Sequence, residues 1–271
     1  MIFVFSGTGN SYHAAKRIAA HFNQNMVDMA AANRYNRSFY NAGGESIGFM
    51  FPVYFYGLPT IVEEFLKNLE IVNPGYVYCI STCAGDSGAA CEELQDILGD
   101  RLKVDASFDL LMPNNAVFYE DVPSKEEAAE INKAADERID EYIARIESRE
   151  EGDFRTMASK DGFEEGRKAY AKFRNTDPFS YDEKCIECRI CENVCPEQVI
   201  KVYHRKPVWD EMQCTMCMSC INMCPKKALQ FGDVTQDRGR YFHPTYYMWS
   251  LGVNPPYKCE DFKKYDEGFR S

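Results

Sequence analysis

The sequence has no apolar run approaching the roughly 18 residues that cross a bilayer. Its opening apolar stretch is short, and no basic residue precedes it, unlike a secretory leader. Both absences lead us to expect a soluble, cytoplasmic protein. Positive charge is also scarce. Against 42 Asp and Glu stand 31 Lys and Arg, a net charge of −11, which argues against nucleic acid as a partner. Lys/Arg and Asp/Glu balance over 181–271, so the excess acid lies in residues 1–180, where a solvated surface accounts for it. The four histidines carry no expected catalytic role. His13 and His21 fall on a predicted helix and are expected at its surface. His204 lies between cysteine runs, and His243 precedes Pro244 in a turn.

Residues 1–148 alternate between two kinds of pattern. The continuous apolar run at 2–5 reads as a buried strand, and 26–29, 47–51, 76–81 and 104–111 are further strand candidates. Between them, Ala14, Ala15, Ile18, Ala19 and Phe22 recur at helical spacing, and 60–69 and 87–98 are further helix candidates. Ser124 and Glu127 form a capping-box pattern ahead of a long charged helix with one apolar stripe, Ile131, Ala135, Ile139, Tyr142, Ile143 and Ile146. Five strands alternating with helices predict a doubly wound α/β domain. Residues 149–178 read as a connector, partly helical at 163–173. Residues 233–271 form an aromatic tail that includes Tyr241, Phe242, Tyr246, Tyr247, Trp249 and Tyr257 and is expected to pack on the domains.

After the first strand comes the stretch Ser6-Gly7-Thr8-Gly9-Asn10-Ser11. A glycine-rich loop at a helix start suits a phosphate. No lysine completes a Walker loop. Tyr12 stands where a dinucleotide fingerprint has its third glycine, and Asp28 is the lone acid at the end of the second strand. Backbone N–H groups and hydroxyls, without a cation, suit flavin mononucleotide. The loop resembles that of flavodoxins. That resemblance implies a five-stranded parallel sheet of order 2-1-3-4-5, with FMN at the switch point. By the same resemblance, Pro52, Val53, Tyr54, Phe55, Tyr56 and Gly57 flank the ring. Thr82, Cys83, Ala84, Gly85, Asp86, Asn114 and Asn115 close its polar edge. Cys83 could tune the flavin, although a small buried thiol is the commoner case.

Twelve cysteines are many for a chain without a secretion signal, and eight lie within 185–224. They form C-x2-C-x2-C-x3-C-P twice, at Cys185, Cys188, Cys191, Cys195 and again, 29 residues on, at Cys214, Cys217, Cys220, Cys224. Disulfides do not suit this clustering, and zinc does not call for three successive x2 spacings. The duplicated segment resembles bacterial-type two-[4Fe–4S] ferredoxins, small α+β domains. The resemblance implies crossed ligation, in which the fourth cysteine of each run serves the other cluster. Cluster one then takes Cys185, Cys188, Cys191 and Cys224, and cluster two takes Cys214, Cys217, Cys220 and Cys195. Glycine often follows the second cysteine in that family; here Arg189 and Met218 do. Cys79 and Cys91 are expected in the core, and Cys259 as a free thiol.

Together the two resemblances imply a flavodoxin–ferredoxin fusion. Its domains are 1–148 for FMN, 149–178 as connector, 179–232 for two clusters, and 233–271 as tail. The expected function is electron transfer between low-potential clusters and FMN, with redox proteins as donor and acceptor. A flavin-dependent reductase of a small aromatic or conjugated substrate is the alternative, and a regulatory module with a vestigial flavin site is a third. With no nicotinamide fingerprint, NADH and NADPH are expected to reduce the protein poorly.

Overall fold

The computed structural model describes residues 1–246 other than 160, 205, 211 and 212. Successive residues along a strand point to opposite faces, and this alternation builds a three-layer first unit. In chain order its elements are β1 (Ile2–Val4), α1 (Asn10–Phe22), β2 (Met26–Asp28), α2 (Met29–Arg34), β3 (Phe39–Asn41), β4 (Ile47–Pro52), α3 (Thr60–Asn68), β5 (Glu70–Val72), β6 (Val77–Cys83), α4 (Ala90–Leu98), β7 (Ala106–Leu111), α5 (Lys125–Glu147) and β8 (Gly152–Asp153). The main sheet runs β2-β1-β4-β6-β7-β8, with every pairing parallel. Phe3, Phe49 and Cys79 face α2, α3 and α4. Ile2, Val4, Tyr78, Ile80 and Phe108 face α1 and α5. Each fully buried Leu, Ile or Phe here contributes about 1.5–3 kcal/mol.

The sheet has six strands, where the sequence pattern predicts five. The sixth comes from the segment read as a connector. Gly152 donates to Asp105 O at 2.9 Å and Phe154 to Ser107 O at 2.8 Å, and the Phe154 ring stacks on Phe108 at 5.3 Å. Beyond it, the buried Asp109 carboxylate accepts Met157 N (2.7 Å), Thr156 N and Ser87 Oγ, pinning the chain over the end of β7. A second departure is a small parallel pair, β3 with β5, at the rim. The capping box forms as the sequence predicts. Ser124 Oγ accepts Glu127 N, and Glu127 Oε2 accepts Ser124 N.

α6 (Phe163–Phe173) leads into the cysteine-rich unit, made of β9 (Phe179–Tyr181), α7 (Ile190–Asn193), β10 (Ile200–Tyr203), β11 (Lys206–Trp209), α8 (Ser219–Asn222) and β12 (Leu229–Phe231). Two antiparallel ribbons, β10–β11 and β9–β12, carry the two short helices. The 29-residue duplication is written into the backbone. Left-handed residues fall in pairs at that offset: Glu187 and Met216, Arg189 and Met218, Gln198 and Lys227. Arg189 (φ 61°) and Met218 (φ 56°) are the two positions after the second cysteine of each run. The conformation explains why glycine suits that position, and a side chain there costs about 1–2 kcal/mol.

Candidate functional site

The duplicated unit folds its eight cysteines around two cavities. Cys185, Cys188, Cys191 and Cys224 line one, walled by Ile190, Val202, Pro207 and Leu229. Cys195, Cys214, Cys217 and Cys220 line the other, walled by Phe179, Val199, Ile200 and Trp209. Each cavity therefore takes three cysteines from one run and the fourth from the other. The cause is the short turn of helix after each second cysteine. It carries the third cysteine inward, and the chain then passes to the opposite side before Pro196 and Pro225.

The thiols are held in apolar surroundings. Burial pushes Cys191 and Cys217 up to about 12, and raises Cys188, Cys195, Cys214 and Cys220 as well. Neighbouring thiols add to the rise at Cys191 and Cys220. Such groups ionise only against strong positive charge, which is what a metal supplies when it displaces their protons. Partners for the sulfurs are built in. Met216 N donates to Cys214 Sγ at 3.2 Å, and Ala228 N to Cys224 Sγ at 3.3 Å. Among the described residues, no three His, Cys, Asp or Glu side chains close on a point that would hold one ion. The donor set suits a polynuclear group: soft thiolates spread around a cavity.

The second cavity lies against the C-terminal edge of the main sheet. Cys217 belongs to the same apolar core as Phe3, Phe5 and Phe49. Ser219 Oγ donates to Gly7 O at 2.6 Å, and Asn222 Nδ2 to Asn115 O at 3.0 Å. On α6, Tyr170 OH donates to Thr215 O at 2.9 Å and accepts Thr60 N at 3.2 Å. Gly7 permits this approach: a Cβ there would meet Cys217 O at 2.8 Å and the Tyr54 hydroxyl at 2.9 Å.

The residues expected to hold FMN come together at this edge, but they are spent on protein partners. Ser6 Oγ accepts Gly9 N, Thr8 Oγ1 accepts Asn115 Nδ2 at 2.6 Å, and Ser11 pairs with Thr82 at 2.7 Å. Asn10 bonds Pro113 O and Tyr241 OH. The open face of Gly9, at φ 100°, is covered by Tyr246, and His243 N donates to Thr8 O at 2.8 Å. Val53 N bonds Thr82 O, and Tyr54 and Gly57 bond each other across the turn that follows Pro52. Phe55 stacks on Tyr170, Phe118 and Phe173 rather than presenting a free face. Tyr56 lies over Gly162 and Gly166. Beyond Cys83 and the exposed Ala84 and Gly85, Asp86 accepts Gly88 N and Ser159 N, and Asn114 accepts Ala116 N. A flavin nucleotide does not fit the loops as they are folded.

Tyr170, Thr215, Ser219 and Asn222 escape sequence reasoning; with residues 241–246 of the tail they form the junction between the units. One signal was available. The second copy of the repeat carries Thr215 and Ser219 where the first has Ile186 and Ile190, and both polar residues are buried. His13, expected at the surface, is buried. It lies between Asp136 at 2.7 Å and Thr245 at 3.0 Å and stacks on His243 at 4.0 Å. His21 is exposed, beside Glu147. Cys79 and Cys91 are in the core, as expected. Tyr247, Trp249, Tyr257 and Cys259 lie outside the described residues. No helix among the described residues is long and apolar enough to cross a membrane.

No curated protein and no solved structure matches the chain. Residues 184–228, the segment that folds around both cavities, match the family model described as a 4Fe-4S dicluster domain, a ferredoxin-type module whose chemistry is electron transfer.

Proposed function

We propose that this chain is an electron-transfer protein with two [4Fe–4S] clusters. The first is held by Cys185, Cys188, Cys191 and Cys224, the second by Cys195, Cys214, Cys217 and Cys220. The observation that carries this reading is the lining of the two cavities, each by three cysteines of one run and the fourth of the other. When bound, such clusters accept and release single electrons.

The chain's own residues divide the work. Ile190, Val202, Pro207 and Leu229 keep water from the first site. Cys185 and Cys188 are only half-buried and Ile186 is exposed, so this is the side from which a redox protein can exchange electrons. The second site is walled by its own unit, and its Cys217 packs into the core at the edge of the sheet, which suits an interior store. Along the chain we read 1–148 as a flavodoxin-like unit, supported by the order β2-β1-β4-β6-β7 and the loop after β1. Residues 149–178 serve as connector, 179–232 as the cluster unit, and 233–271 as a covering tail.

Anaerobic purification, iron and sulfide analysis and paramagnetic resonance of the reduced protein test this. About eight irons per chain, in two coupled cubanes, are expected. Stoichiometric zinc, or iron well below four per chain, overturns it. The glycine-rich loop at a switch point favours FMN as a second reading, which requires residues 217–219 and 243–246 to leave the loop. One FMN per chain in the purified protein would establish that reading and displace the account of a loop filled by protein.

A further inference from the structure

Tyr54 stands out among the side chains at the junction. Its hydroxyl is buried and has no hydrogen-bond partner among the described residues. Leaving such a group unpaired costs about 1–3 kcal/mol, so a fold that keeps one usually aims it at something. Its surroundings name the target. The point above Gly7 Cα where a side chain would begin is 2.9 Å from the Tyr54 hydroxyl and 3.0 Å from Cys217 Cβ. The ring is fixed by edge contacts with Phe5 and Tyr170 at 6.4 Å and packs against both apolar cores it borders.

The neighbouring donors are already committed. Ser219 Oγ lies 3.2 Å from Cys217 Sγ, yet its one proton goes to Gly7 O at 2.6 Å. Tyr170 OH spends its proton on Thr215 O. Besides the Ser219 amide, which bonds the Cys217 sulfur, the Tyr54 hydroxyl is the side-chain donor left uncommitted beside Cys217 among the described residues. Neither cavity has a residue of the α/β unit on its walls; the second differs in that its Cys217 packs into the core that Tyr54 borders.

We propose that Tyr54 sets the reduction potential of the second cluster by donating its O–H to the Cys217 sulfur when that site is loaded. This rests on the two-cluster reading above. An added electron places negative charge on the cluster sulfurs, so a donor there stabilises the reduced form more than the oxidised form and raises the potential. The turn after β4, at the place where the sequence suggests a flavin platform, then acts as a platform for the cluster. The α/β unit acquires a direct hold on one of two otherwise similar redox centres.

The test is a redox titration of the iron-loaded full chain, wild type against Tyr54→Phe, followed by paramagnetic resonance. Tyr54→Phe keeps the ring and removes the proton. The second cluster should become harder to reduce by about tenfold in its reduction equilibrium, about 59 mV for one electron. The first cluster and the iron content should be unchanged. An exchangeable-proton coupling seen at the second cluster in wild type should vanish. Unchanged potentials in loaded Tyr54→Phe overturn the proposal, as does an equal shift of both clusters, which marks a general structural effect. If Tyr54→Phe does not load, 3-fluorotyrosine at position 54 provides the second arm. Its more acidic hydroxyl should shift the second cluster upward, and no shift overturns the proposal. Absence of iron from the wild type would instead sink the two-cluster reading itself.

Discussion

Replacing Gly9 by alanine tests whether the loop after β1 is built to be covered by protein. Gly9 caps α1 at φ 100°, a conformation that costs an L-residue about 1–2 kcal/mol. The new methyl would also press on Tyr246 Cβ, sit 2.7 Å from Tyr246 Cγ and 3.1 Å from His243 Cβ. Overpacking of this kind costs about 1–3 kcal/mol. With 243–246 in place the total is about 2–5 kcal/mol. The chain can avoid the second part by releasing those residues. That breaks the His243 N to Thr8 O bond, the Thr245–His13 bond and the Tyr12–Tyr246 ring contact. Either response is measurable by hydrogen exchange on the loaded protein. Opening at the His243 amide should become easier by about 1 kcal/mol or more, while amides of β4 and β6 keep their protection. At about 2–4 °C per kcal/mol for chains near this size, Tm should fall by at least about 4 °C. A His243 amide that exchanges as in wild type, with Tm within about 1 °C, would refute the idea that Tyr246 needs a glycine beneath it.

Three further outcomes are expected. Cys224→Ala should remove the cluster of Cys185, Cys188 and Cys191 and lower iron from about eight to about four per chain; loss of the cluster on Cys214, Cys217 and Cys220 instead would overturn the crossed assignment. Tyr170→Phe deletes the hydroxyl that joins Thr60 to Thr215 and should destabilise the protein by about 1–3 kcal/mol in thermal unfolding, with the iron count intact before unfolding. Burial, and then His13, depress His243 to about 3. The folded state therefore binds fewer protons there than the unfolded state. The stability this residue contributes is full above about pH 6.5 and drains away as pH falls from there toward 3. Protection at the His243 and Tyr246 amides should fall over that window, and His243→Gln should flatten the dependence. Protection that stays level in wild type from pH 7 to 4.5 would contradict it.

What the sequence reveals follows from where the determinants lie. Strands β1, β4 and β6 are buried on both faces, so each reads as a largely apolar run, while β7 is interrupted by Ser107 and Asp109. β8 is a Gly-Asp pair held by Phe154 and by the reach of Asp109, and nothing local distinguishes it from a loop. The cysteine sites are legible because the chain repeats itself, and the resemblance to two-cluster ferredoxins implies how the runs pair. The surroundings of the switch point were illegible for the opposite reason. Ser6 to Ser11 is a loop that suits a phosphate, and only the folded chain reveals that Ser219, Asn115, Tyr241 and Tyr246 use up its groups. The same limit hid the burial of His13, whose partners Asp136 and Thr245 lie far along the chain.

The exchange of fourth cysteines between the two runs also fixes an order of events during synthesis. When residue 195 has emerged, the first run has all four of its own cysteines, yet its cavity still lacks Cys224. The other cavity needs Cys195 from that first run to wait for Cys214, Cys217 and Cys220. Neither can be completed by a nascent half, and both close within the same few residues. The sheet, whose elements all precede residue 154, can be finished by then. Its edge is then available as a template when the cysteines come together. Assembly of the redox centres is thereby a single late step, taken on a surface already built.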